Sequence, residues 1–144
     1  MRWAFLLSAL ALGLAACGGA SGLTKAQYDA KVSRLCLLAA DRLRELHIDN
    51  SVGAWRHSGA NVVRIAQRFD NSLAALKAPG DIAAEAAVFL NANQKVLADY
   101  KAAVAAAKAG DRARLQELGK RSNKDGTATF ASAKAIGATG CYIP

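Results

Sequence analysis

The residues best able to do covalent chemistry in this chain are its three cysteines, Cys17, Cys36 and Cys141. A thiolate can attack an electrophile, ligate a metal or join a second sulfur. No two of the three form Cys-x-x-Cys, so their spacing does not suggest redox exchange. Other donors are sparse. His47 and His57 flank a break in the helical pattern, with Asp49 beside them. A sound metal site wants three or four ligands with supporting hydrogen bonds, so surface histidines are the simpler reading. The patterns His-Glu-x-x-His, Glu-x-x-His and Cys-x-x-Cys-His are absent, and the single methionine is Met1. The serines have no evident His/Asp partners, and most of the carboxylates are expected on solvated helix faces. The residues therefore predict no catalytic set, no metal and no cofactor.

The position of Cys17 gives it a chemistry of its own. Arg2 supplies a positive start, and Trp3 to Leu14 is almost wholly apolar. That run is far short of the roughly 20 residues a membrane-spanning helix needs. A positive start, a short apolar core and small residues before a cut mark a secretory signal. Leu14-Ala15-Ala16-Cys17 resembles the lipobox of bacterial lipoproteins at all four positions. The resemblance implies cleavage before Cys17, with a diacylglycerol thioether on its sulfur. The alternative is an ordinary exported protein. A segment 1–16 is then the signal peptide, and 17–23, including Gly18-Gly19-Ala20-Ser21-Gly22, is a lipidated flexible tether. One acyl chain anchors marginally, whereas two or three hold stably. Losing Arg2 leaves 18 basic against 11 acidic groups, a net +7, on 128 residues. That length suffices for one modest core.

Outside the cytoplasm the two remaining thiols most simply pair. A Cys36–Cys141 bond closes a loop of about 100 residues, worth on the order of 4–5 kcal/mol in the chain-entropy account.

The elements that must position these groups are helices. Alanine and leucine abound and there are two prolines. Thr24-Lys25-Ala26-Gln27 reads as a capping box, followed by a stripe of Tyr28, Val32, Leu35, Ala39, Leu43 and Leu46. Asp49-Asn50-Ser51 and Gly53 break the pattern. Val62, Ala66, Phe69, Leu73 and Leu76 mark a second helix, stopped by Ala78-Pro79-Gly80. Asp81 is expected to cap a third, with Ala86, Leu90, Asn93, Leu97, Tyr100, Val104 and Ala107 inward and Gly110 ending it. Asp111 is expected to cap a fourth, carrying Leu115, Leu118, Ser122, Thr129, Ala133 and Ile136, with Gly126 a weak point. Four amphipathic helices with short joins predict an all-α, antiparallel, up-down-up-down four-helix bundle over 24–144.

The cysteine pair constrains that bundle. A tight turn at Asp49 places Cys36 level with residue 124, about 20 Å below the end of the fourth helix. Residues 138–141 span at most about 14 Å. A join centred near Gly53 lifts Cys36 to the level of Ala131. The second helix is therefore expected to start near Ser58 or Gly59, with Trp55 capping the bundle end.

Two regions are candidates for binding. Level counting puts Ala40, Ala66, Asn93 and Gly126 at one height, with Ser122 and Thr129 a turn away. Small side chains around a polar amide leave either a small polar-lined cavity or close helix packing around one satisfied amide. Arg42, Arg44, Arg56, Arg64 and Arg68 cluster in the first two helices. They are either a face for anionic lipid or wall polymer or ordinary solvated arginines. The formal net charge of the whole chain is +8. Without a nucleic-acid motif and with few aromatics, an anionic envelope polymer or an envelope protein fits this charge better than nucleic acid.

The layout is similar to a family of small secreted or lipid-anchored helical proteins common in actinobacteria. The resemblance rests on Tyr28, Cys36, Leu73-Ala74-Ala75-Leu76-Lys77-Ala78-Pro79, Ala109-Gly110-Asp111 and Gly137-Ala138-Thr139-Gly140-Cys141. It implies the fold, export and the cysteine pair, and carries over no functional residue. The chain departs from it in its basic first-to-second helix region and its polar fourth helix. The expected function is a non-enzymatic binding or accessory module, lipid-anchored at the outer face of the bacterial cytoplasmic membrane or in the envelope. The alternative is a carrier or sensor of a small ligand in the bundle interior.

Overall fold

The computed structural model describes residues 22–141. Cys17 and the proposed signal segment lie outside the described residues, as do 142–144. The chain forms α1 (Lys25–Glu45), α2 (Val52–Ala75), a 3₁₀ turn over Gly80–Ile82, α3 (Ala83–Ala109), α4 (Arg112–Ala135) and a last 3₁₀ turn over Thr139–Cys141. The helices run up, down, up, down, and Cys36 is bonded to Cys141.

Local chemistry explains most of the boundaries. Thr24 and Gln27 make the reciprocal capping box, with Thr24 Oγ1 accepting from Gln27 N at 3.3 Å. Asp111 accepts from Arg114 N at 2.9 Å to start α4. Gly110, at φ 75°, closes α3 in the left-handed conformation that glycine adopts freely. Asp81 does not cap α3. It sits inside the 3₁₀ turn, whose geometry carries the chain straight into the helix without a side-chain cap.

The second helix begins at Val52, six or seven residues earlier than expected. Ser51 is its N-cap, accepting from Ala54 N at 3.1 Å, and Asp49 Oδ1 accepts from Ser51 N at 2.8 Å. The polar triplet that reads as a break is thus an Asx turn feeding a cap. Trp55 consequently lies inside α2 and is buried against Tyr100, rather than capping the bundle's end.

The disulfide closes for a different reason. The α3–α4 hairpin overshoots the α1–α2 join, so Gly119, two turns into α4, stands beside Asn50. The end of α4 then comes level with Asp29, against which Gly137 packs at φ 82°. From there the tail turns back and climbs α1, with Gly140 pressed on the Ser33 backbone so closely that a Cβ would stand inside contact distance. The climb from Asp29 to Cys36 is seven helical residues, about 10 Å, within reach of four extended residues. The helices α1 and α4 meet chiefly through this tail.

The core is in two parts. The lower, at the disulfide end, gathers Tyr28, Val32, Leu73, Phe89 and Ile136, with Phe69 edge-on to Phe89 and Leu23 packed against it. The upper gathers Trp55, Val62, Ala103, Ala107, Leu115 and Leu118. Gly59 lets α2 approach α3, since a Cβ there would stand 2.8 Å from Val104 Cγ2. Between the two parts, at mid-height, the inward residues are small.

Candidate functional site in the seam between α1 and α4

A cleft of about 290 Å³ opens where the core divides. All four helices wall it. Ala40, Ala66, Asn93 and Gly126 line it together, with Thr129 and the Cys36–Cys141 bridge. The level expected from the sequence is the level at which they meet. Ala40, Ala66 and Gly126 are too small to fill the space, and α1 meets α4 chiefly through the tail, so the cleft stays open there. Phe69, Phe89, Leu97 and Tyr100 supply most of the remaining wall, which is mainly apolar. Exposed Phe130 stands at the rim.

The polar groups of this layer bond within their own helices. Asn93 Nδ2 donates to the Phe89 carbonyl at 2.8 Å, and Thr129 Oγ1 donates to the Asp125 carbonyl at 2.9 Å. Each keeps further acceptor capacity. Ser122 does not line this cleft. It lines a second one of about 260 Å³, nearer the α1–α2 join, with Trp55, Asp99, Asn50 and Asn123. Leu43 and Tyr100 border both. Burial pushes the Tyr100 phenol above its ordinary pKa; a hydrogen bond with Ser122 opposes this, and the charge on Asp99 adds to it.

Two carboxylates are exceptions to the solvated faces expected of most. Asp70 on α2 is 5 % exposed and borders the apolar cleft, and its Oδ2 finds no hydrogen-bond partner among the described residues. Burial raises its pKa to about 6, with Lys101 pulling the other way. The signal was present in the sequence: Ala66, Asp70 and Leu73 fall at spacings of four and three, so an acid occupies the inward stripe. Asp99 on α3, 3 % exposed, accepts from Arg121 Nε at 2.7 Å and pairs with its guanidinium. It was hidden because α3 packs on both α2 and α4, and its many alanines blur which face is buried.

Asp70 carries a pH prediction. Its folded pKa of about 6 lies above the ordinary 3.8. Its folded-state advantage is therefore fully present below pH 3.8 and is lost as pH rises through about 6. At pH 7 the buried carboxylate costs stability. Asp70→Asn is expected to stabilise the fold there by about 2 kcal/mol and to flatten the slope between those two pKa values. Denaturant unfolding across a pH series measures both. A variant less stable than the parent at pH 7 would show instead that the charge is held by a favourable contact.

The five arginines differ in their partners. Arg56 turns to α3, where its Nε donates to the Ala107 carbonyl at 2.7 Å and satisfies the helix C-terminus. Arg44 pairs with Asp41 at 2.9 Å, and Arg64 bonds Asn61 at 2.8 Å. Arg42 and Arg68 are exposed. His47 adopts φ 46° just past α1, its Nδ1 donating to the Glu45 carbonyl at 2.9 Å, and His57 is exposed. Among the described residues no three His, Cys, Asp or Glu side chains gather as for a metal, and no helix is long and apolar enough to cross a membrane. Comparison with protein-family models, curated proteins and solved structures found no match to this chain.

Proposed function

We propose that this protein is a non-enzymatic binding module, lipid-anchored through Cys17 at the outer face of a bacterial cytoplasmic membrane, that carries a small, largely apolar ligand in the mid-bundle cleft. The observation that carries this reading is the cleft of about 290 Å³ at the height where the inward residues are smallest. Its size and its mainly apolar wall with a few polar groups are those of small-molecule sites. The lipobox-like Leu14-Ala15-Ala16-Cys17 supports the anchor. Asn93, Thr129 and Asp70 would orient the ligand.

Two measurements test the reading. Mass spectrometry of the N-terminal peptide from the native host is expected to show a diacylglyceryl group on Cys17; an unmodified cysteine overturns the anchor. Titration with the neutral apolar dye N-phenyl-1-naphthylamine is expected to saturate at one site. Gly126 has open space in place of a side chain. Gly126→Leu should therefore fill the cleft and weaken dye binding by at least about tenfold, while the thermal midpoint holds. Equal binding by the variant, or none by the parent, overturns the carrier reading.

A further inference from the structure

Two residues that border the second cleft carry orphaned polar atoms of opposite kind. Asp99 is 3 % exposed, and its Oδ2, the oxygen Arg121 does not take, finds no hydrogen-bond partner among the described residues. Trp55 is 8 % exposed, and its indole Nε1–H is likewise without one. Buried polar groups are nearly always paired, and each exception asks for an explanation. Both residues border the same cleft of about 260 Å³, which Ser122, Asn50 and Asn123 line as well.

The chemistry of the pair narrows what could satisfy it. Arg121 already offsets the Asp99 charge, so no second cation is required. An anion would be repelled by the carboxylate, and a cation cannot accept the indole N–H. A neutral group that both donates and accepts meets both needs, and neighbouring hydroxyls do so at once. The tilted Trp55–Tyr100 pair, with ring centroids 5.9 Å apart, offers an apolar wall beside them. The space exceeds what one water needs and is of the order of a single sugar ring.

We infer that this upper cleft binds a neutral polyhydroxylated ligand of pyranose size, its hydroxyls donating to Asp99 Oδ2 and accepting from Trp55 Nε1. Neither atom is open to bulk solvent, so entry requires a small shift of the Trp55–Tyr100 pair. The site shares only Leu43 and Tyr100 with the apolar cleft below it.

The test uses the full chain in a detergent without a sugar headgroup. Saturation-transfer NMR is run with methyl glycosides of glucose, galactose and mannose, and then with the same sugars as glycolipid headgroups in vesicles. At least one methyl glycoside is expected to give a saturable signal. Trp55→Phe keeps the ring but removes the donor, and should weaken that signal by about tenfold. Asp99→Asn should weaken it too, whereas Gly126→Leu in the lower cleft should leave it unchanged. A signal from the glycolipids alone, lost in Trp55→Phe, supports the site and assigns the source to a headgroup. No signal from any sugar, or an equal signal in Trp55→Phe, overturns the inference and leaves the cleft to water. Failure of dye binding below and failure of sugar binding here are read in separate experiments.

Discussion

Replacing Cys36 and Cys141 together with serine is expected to remove about 4–5 kcal/mol of stability. The bond joins residues 105 apart in the sequence, and in the chain-entropy account the gain lies in restricting the unfolded chain. A native-state contribution adds to it here. The helix α1 packs on α2 along one side, and on the other it meets the body through the tail that the bond secures. The serine pair leaves Gly137 and Gly140 seated against Asp29 and Ser33 by close packing alone. A small domain has roughly 5–15 kcal/mol in total, so the variant should be marginal at 37 °C. Its thermal midpoint is expected to fall by roughly 10–20 °C, matched by the parent in reductant. A fall of a degree or two would mean that the tail docks without its covalent closure.

The second large effect concerns Arg121. Its guanidinium is half-exposed, but the carboxylate it holds is buried. Burial of an unpaired carboxylate is among the costlier single defects in a protein interior. Arg121→Gln is expected to lower the denaturation midpoint clearly, though by less than the loss of a fully buried pair, since water can reach the arginine's side of the contact. Adding Asp99→Asn should return most of that loss by removing the stranded charge. Chemical denaturation of the four proteins of this cycle measures the coupling. Additive losses would show that Asp99 does not depend on Arg121.

Much of this architecture could be read from residue order because it rests on local chemistry. Thr24 with Gln27, and Gly110 with Asp111, set helix ends through contacts within a few residues, so short motifs report them directly. The mid-level coincidence of Ala40, Ala66, Asn93 and Gly126 was likewise legible, because helical rise is constant and the counting errors offset one another. Cys36 reaches the height expected of it, but the overshoot of α3–α4 lifts it there, not a long first join. Overshoot depends on how ridges of neighbouring helices settle, which no single stretch of sequence encodes. The same limit hid the cleft pair. Trp55 reads as a cap because closing the Cys36–Cys141 bond asks for a longer join near Gly53, and Asp99 lies on a face of α3 that packs on α4.

The bridge from Cys36 to Cys141 also makes a covalent ring that contains the last three turns or so of α1 and all of α2, α3 and α4. Tension applied through the residues ahead of α1 can peel away only its first three turns or so before it meets a sulfur–sulfur link. The load then passes across that link, so of the walls of the two clefts only the bridge and the tail beside it lie in its path. A body pulled from that side would give up a short lead of helix and keep its binding chambers intact.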